Sequence, residues 1–176
     1  MIRSMLKALF FAFLLLLTVS AAAQIPDLDV LVPETAECAD ESCEIPLYAG
    51  PTVQFAQIPD AILDPSRPFV CFGQSDSWTM VAEGSPDSFG PVGWVQTASV
   101  PAQTCGELLF ENQLAAMVEE DAPLTFTPGG DNVPVFVTLH HGDAIRILGR
   151  YDSFLYVEAE TGDLPVRGFV PESSVE

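Results

Sequence analysis

The side chains best able to do chemistry are few, and their spacing argues against catalysis. His140 and His141 are the only histidines among 176 residues. Adjacent residues on a strand point to opposite faces, so the pair cannot easily share one metal ion. Ser77 and Ser153 each precede an aromatic residue, with no histidine in the segment around Ser77 or its counterpart to act as base. The cysteines, Cys38, Cys43, Cys71 and Cys105, form no C-x-x-C pair, which weakens a zinc site. Their mostly acidic neighbours would raise, not lower, a thiol pKa. Adjacent carboxylates such as Glu119 and Glu120 abound, but with 25 acidic residues adjacency singles out no acid–base dyad. There is no glycine-rich phosphate loop. We therefore expect no enzyme activity, no metal and no cofactor. What remains is recognition by aromatic side chains. Tyr48, Trp78 and Trp94 are the candidate ligand-binding residues, because such rings give large contact area with few rotamers to lose. The competing use is core packing, which is the stronger reading for Trp94, just after a glycine on a last strand.

The elements that would position these residues are organised by an internal repeat. Pro46 to Pro51 recurs as Pro123 to Pro128. Gly73 with Asp76 to Val81 recurs as Gly149 with Asp152 to Val157, and Gly93 to Val100 recurs as Gly168 to Val175. The offset drifts only from 77 to 76 to 75. Three blocks in one order at nearly constant spacing indicate two homologous modules, residues 44–101 and 121–176. Ile145 and Ile147 alternate with Arg146, a turn follows Gly149, and Leu155 and Val157 resume the alternation, all of which reads as short strands. Cys71 falls where Ile147 sits, an inward position. Gly-Trp-Val and Gly-Phe-Val should begin a last strand, followed by a short 3₁₀ turn. Long early loops are expected at 52–68 and 129–143. The connector, 102–120, offers Thr104 and Glu107 as a helix capping box, so we expect a short helix there. Ala115 to Val118 could equally be the first strand of the second module. Residues 24–43 are rich in proline and acids and should be extended.

Residues 1–23 stand apart. Arg3 and Lys7 precede an uncharged apolar run from Ala8 to Val19, and Ala21 and Ala23 form an A-x-A site. That order describes a secretory signal peptide cleaved before Gln24. An uncleaved anchor is the rival, since the uncharged stretch from Ala8 to Pro26 approaches the ~20 residues that span a bilayer. Its second part, however, is alanine-rich and weakly apolar. After cleavage all 25 acids remain against four arginines, Arg67, Arg146, Arg150 and Arg167, a formal charge of −21. Such a charge excludes nucleic acid as a partner and argues against docking on anionic lipid, so no stable membrane insertion is expected once the signal is removed. An even cysteine count outside the cytosol reads as two disulfides. Four cysteines allow three connectivities. Cys38 and Cys43 can close a short loop on themselves, leaving Cys71 with Cys105, and this is the pairing we expect. The localisation expected is periplasmic or secreted.

The order Leu-x-x-x-Pro, long loop, Gly-Asp before an apolar strand, glycine turn, aromatic-x-x-Val and Gly-aromatic-Val resembles the bacterial Src-homology-3-like (SH3b) module. The second module carries it best, in Leu139 to Gly149, Phe154, Val157 and Gly168-Phe169-Val170. The likeness covers about two-thirds of the chain. It implies an all-β protein of two tandem small SH3-like β-barrels joined by a short helical connector. It further implies a non-catalytic exported binding module that recognises a cell-envelope component, a wall peptide or envelope protein, through an aromatic groove. The departures are at the first strand. Leu47-Tyr48-Ala49 stands where the family has Asn-Val-Arg, and the second module lacks the following glycine. A second function fits the charge: an acidic adaptor or inhibitor that binds a basic protein partner.

Overall fold

The computed structural model describes residues 28–36, 44–64, 66–100, 105–108, 110, 112–129, 134–162 and 164–176. Residues 1–23, and Cys38 and Cys43 with their expected bridge, lie outside the described residues. The strands of the first half are β1 (Asp29–Val30), β2 (Glu34–Ala36), β3 (Ile45–Tyr48), β4 (Gln57–Leu63), β5 (Phe69–Ser75), β6 (Trp78–Ser85), β7 (Ser88–Phe89) and β8 (Gly93–Gln96). A 3₁₀ turn, Thr97–Ser99, follows. Those of the second half are β9 (Leu114–Met117), β10 (Ala122–Thr125), β11 (Val135–Leu139), β12 (Ala144–Tyr151), β13 (Phe154–Thr161) and β14 (Leu164–Pro171), with a 3₁₀ turn at Glu172–Ser174. Among the described residues the protein is all-β, with no α-helix.

The repeat read from the sequence is a repeat of topology. One sheet runs β2-β5-β6-β8-β3-β4 and the other has β12-β13-β14-β10-β11 in the same relative order. β9 pairs with β12 as β2 pairs with β5. Both hairpins carry a register shift at the same place, Cys71/Gly73 and Ile147/Gly149. Both turn through an aspartate in the left-handed region, Asp76 at φ 53° and Asp152 at φ 49°; aspartate tolerates that conformation better than most residues. The carbonyls of Ser77 and Ser153 accept the N–H groups of Thr97 and Glu172, which anchors each 3₁₀ turn to its hairpin. The glycine of Gly-aromatic-Val is needed for close approach: a Cβ on Gly168 would lie 2.7 Å from the carbonyl oxygen of Thr125, and one on Gly93 would lie 2.7 Å from Cβ of Leu47.

The central strands are buried on both faces, which explains near-continuous apolar runs such as Phe69-Val70-Cys71-Phe72. One face supplies a cluster that includes Leu47, Phe69, Cys71, Val81 and Val95 with Leu124, Ile145, Ile147, Val157 and Val170. Alternate residues face a second cluster between the halves: Val70, Phe72, Met80 and Trp94 with Leu148, Tyr156 and Phe169. Cys71 and Ile147 are both buried, as their matched positions predicted.

The halves are joined reciprocally. β1, which leads into the first sheet's outer strand, pairs in parallel with β12 of the second, and the Leu31 N–H donates to the Arg150 carbonyl at 2.8 Å. Glu107, which leads into β9 of the second sheet, bridges in parallel to Gln74 of the first, and the Leu108 N–H donates to the Gln74 carbonyl at 2.7 Å. The N–H of Val92 donates to Phe126, and its counterpart Arg167 donates to Ala49. Residue i touching j while the equivalent of j touches the equivalent of i is the signature of a two-fold, here within one chain. Gly73 and Gly149 admit the crossing segments, since a Cβ at either would sit 2.8 Å from a crossing carbonyl, that of Gly106 or Asp29. The Cys71–Cys105 disulfide fastens one crossing segment to β5.

Two expectations are corrected. The described part of the connector contains no helix. Leu114–Met117 is a strand because Ala115, Ala116 and Leu114 find pairing partners along β12, and that outweighs the local helix propensity of alanine and leucine. The expected long loops contain β4 and β11, each hydrogen-bonded to the strand before it.

Candidate functional site

Strands β3, β6 and β8 are neighbours, so Tyr48, Trp78 and Trp94 do come together. They do not form an open groove. Trp94 is fully buried and Trp78 is 8 % exposed. Tyr48 is half-buried and meets Trp78 edge-on, with ring centroids 5.5 Å apart. The indole N–H of Trp94 donates to the hydroxyl of Tyr156 at 2.8 Å, a buried bond from one half to the other. The asymmetry between the modules, Trp94 against Phe169 and Met80 against Tyr156, therefore has a packing role at the seam. Both polar handles are consumed there. Burial pushes the Tyr156 phenol up to about 12, although the Arg167 guanidinium and the Trp94 N–H both favour its ionised form.

Arg167 reaches into the same seam. Its guanidinium lies 5.2 Å from the Phe55 ring centre, 5.6 Å from Phe110 and 5.9 Å from Trp94, while its Nε donates to Glu158 at 2.7 Å. Glu158 also pairs with Arg146 at 3.2 Å. Across β12, β13 and β14 these residues form the cross-strand row Arg146–Glu158–Arg167; the matched positions of the first half are Val70 opposite Ala82, and Val92 just before β8. Sequence reasoning missed the row; the repeat alignment itself, setting charge against Val and Ala at three matched positions, was the signal. Arg67 pairs with Glu83 at 2.8 Å and Arg150 with Glu172 at 2.7 Å. The four arginines among the described residues are thus all engaged by carboxylates, and the excess charge left over is acidic.

The two histidines use separate acceptors. The His140 ring meets Asp121 at 3.2 Å and the His141 ring meets the Glu119 carbonyl at 2.6 Å, both on the surface. The Asp121 carboxyl is held below its ordinary range by hydrogen bonds from the His141 backbone and the His140 ring. Glu119 is raised by sharing a hydrogen bond with Glu176.

The surface offers recognition elsewhere. A cleft of about 340 Å³ lies across the seam, with Ile58, Pro59 and Pro91 on one side and Phe126, Pro134 and Phe136 on the other. The rings of Phe126 and Phe136 meet at a tilt, with centroids 4.8 Å apart. Asp60 and Thr127 are its polar lining. Apolar walls with few polar groups suit an apolar or prolyl side chain. At Phe136 the cleft meets a second groove, about 450 Å³, that follows β11 to Asp143 and Glu160. Compared with protein families, with curated proteins and with solved structures, the chain matches none.

Proposed function

We propose that the protein is a non-catalytic binding unit of the cell envelope, exported by a cleaved signal peptide, in which each sheet is an SH3-like barrel. The observation that carries the reading is the seam cleft, an apolar, proline- and phenylalanine-lined hollow to which both halves contribute. The binding site moves there from the Tyr48, Trp78 and Trp94 set, whose rings are engaged in packing. The Cys71–Cys105 disulfide suits an oxidising compartment. The ligand class is an envelope peptide or an envelope protein with an apolar anchor.

The test uses the mature protein, oxidised, immobilised and exposed to a detergent extract of bacterial envelope, beside the Phe136→Ala and Pro91→Ala variants. Retention of the same envelope species by the parent protein, insensitive to 0.5 M salt and reduced about tenfold in both variants with circular dichroism unchanged, supports the reading; ~1.4 kcal/mol from one anchor corresponds to that factor. Equal retention by the parent and both variants would overturn it.

A further inference from the structure

We propose that β11 is a docking edge for an extended, cationic segment of a partner protein, which adds to the second sheet as a strand. The outer edges of the sheets are not equivalent. β1, β2 and β7 have two or three residues, too short to template a partner, and β9 has four, with the Met117 carbonyl already accepting the Glu176 N–H. β4 is interrupted by Pro59 and by Asp60, held at φ 55°. A proline and a left-handed residue are devices that blunt an edge. β11, Val-Phe-Val-Thr-Leu, has neither, carries no charge and pairs only with β10. Val135 is 54 % exposed. Five residues at ~3.3 Å rise give a template of about 17 Å.

The groove of about 450 Å³ runs along this edge. Its far wall is the turn between β13 and β14, with the exposed carboxylate of Glu160, and Asp143 stands at its end. A strand seated beside β11 would take main-chain hydrogen bonds from the edge and present its flanking side chains to these acids. Charge decides the occupant. With the leader removed the chain carries −21 and every arginine is paired within the molecule. A second copy would bring the same acids to the same groove, whereas lysine or arginine at the ends of the incoming strand is complementary. The inference shares Val135 and Phe136 with the cleft reading, and Glu160 is not among the cleft's lining residues.

The probe is a synthetic peptide of alternating valine and threonine with a lysine at each end, beside the same peptide with glutamate at each end. Titration of the isotope-labelled, oxidised, mature protein should show binding of the lysine peptide and at least tenfold weaker binding of the glutamate peptide. The amides of residues 135–139 should exchange more slowly on binding. Glu160→Lys should cost the lysine peptide about tenfold in affinity, and raising salt from 0.05 to 0.5 M should weaken it comparably. Pro91→Ala, used above, reports the cleft alone; loss of envelope retention there with Glu160→Lys silent would separate the two sites. Three results would overturn the proposal: equal affinity for the two peptides, binding without protection of residues 135–139, or sedimentation showing that β11 instead pairs with a second copy.

Discussion

Replacing Trp94 by Phe tests whether the aromatic asymmetry serves the seam. Trp94 is fully buried and its only polar atom donates to Tyr156. In Trp94→Phe the Tyr156 hydroxyl is left buried without its partner, a cost of ~1–3 kcal/mol. The smaller ring adds a packing loss of ~1 kcal/mol or more. Tyr156→Phe keeps the ring and orphans the indole N–H instead, again ~1–3 kcal/mol. The double variant removes donor and acceptor together, so neither orphan exists. It should be less destabilised than the sum of the single variants by ~1–2 kcal/mol, well outside the ~0.3–0.5 kcal/mol scatter of independent sites. Urea unfolding of the four proteins, oxidised and monitored by fluorescence and circular dichroism, supplies the cycle; unchanged slopes would confirm comparison of like states. Additive losses would mean that the bond contributes nothing at the seam and that the argument for a packing role is wrong.

Two further outcomes follow from the same geometry. The Tyr156 phenol is raised to about 12 in the folded protein against an ordinary 10, so below pH 10 it is neutral folded or unfolded and contributes no pH dependence. Between pH 10 and 12 the unfolded chain ionises first, and stability falls by up to ~2–3 kcal/mol; denaturant titrations across that window should show the loss, and Tyr156→Phe should abolish that share, with the contribution of Tyr151, also raised by burial, remaining. Leu28 and Ile147 occupy the places in the second sheet that Cys105 and Cys71 hold in the first, and both belong to the same apolar cluster. The pair Leu28→Cys with Ile147→Cys should oxidise to a new bridge and add ~2–4 kcal/mol; free thiols found by alkylation and mass spectrometry after air oxidation would deny the equivalence.

What the sequence discloses here is what is encoded locally. The repeat offsets, the turns at Asp76 and Asp152, the 3₁₀ endings and the inward position of Cys71 each depend on a few adjacent residues, and all were legible. β11 was not, and β9 was legible only as one of two readings beside a helix, because edge pairing is a tertiary event: Val135–Leu139 is held as a strand by β10 beside it, and Leu114–Met117 by β12. The reciprocal crossing was hidden for the same reason. Of the aromatic set, Trp94 was legible as a packing residue after its glycine, whereas the burial of Trp78 under neighbouring strands was not. Matched repeats need not have matched packing where the copies pack on each other.

The seam shows why. In a true dimer of identical modules, every residue near the axis meets its own duplicate or is used twice. A tryptophan at position 94 would recur at 169, and each indole N–H would need an acceptor in a dry interface, at ~1–3 kcal/mol for any left unpaired. Within one chain the two sides are free to differ. Trp94 then takes Tyr156 as its acceptor, while the mirrored places hold Phe169 and Met80, which need none. Arg146, Glu158 and Arg167 follow the same logic against Val70, Ala82 and Val92: a charged row on one sheet, apolar residues at the matched positions of the other half, each set partnering itself. Divergence across the two-fold lets one donor, one acceptor and one ion-paired row serve an interface that symmetry would have required to hold two of each. Trp78 meets Tyr48 of its own half edge-on. The indole of Trp94 is therefore evidence for how the halves hold each other, and the search for a ligand belongs at the cleft and edge that their union leaves open.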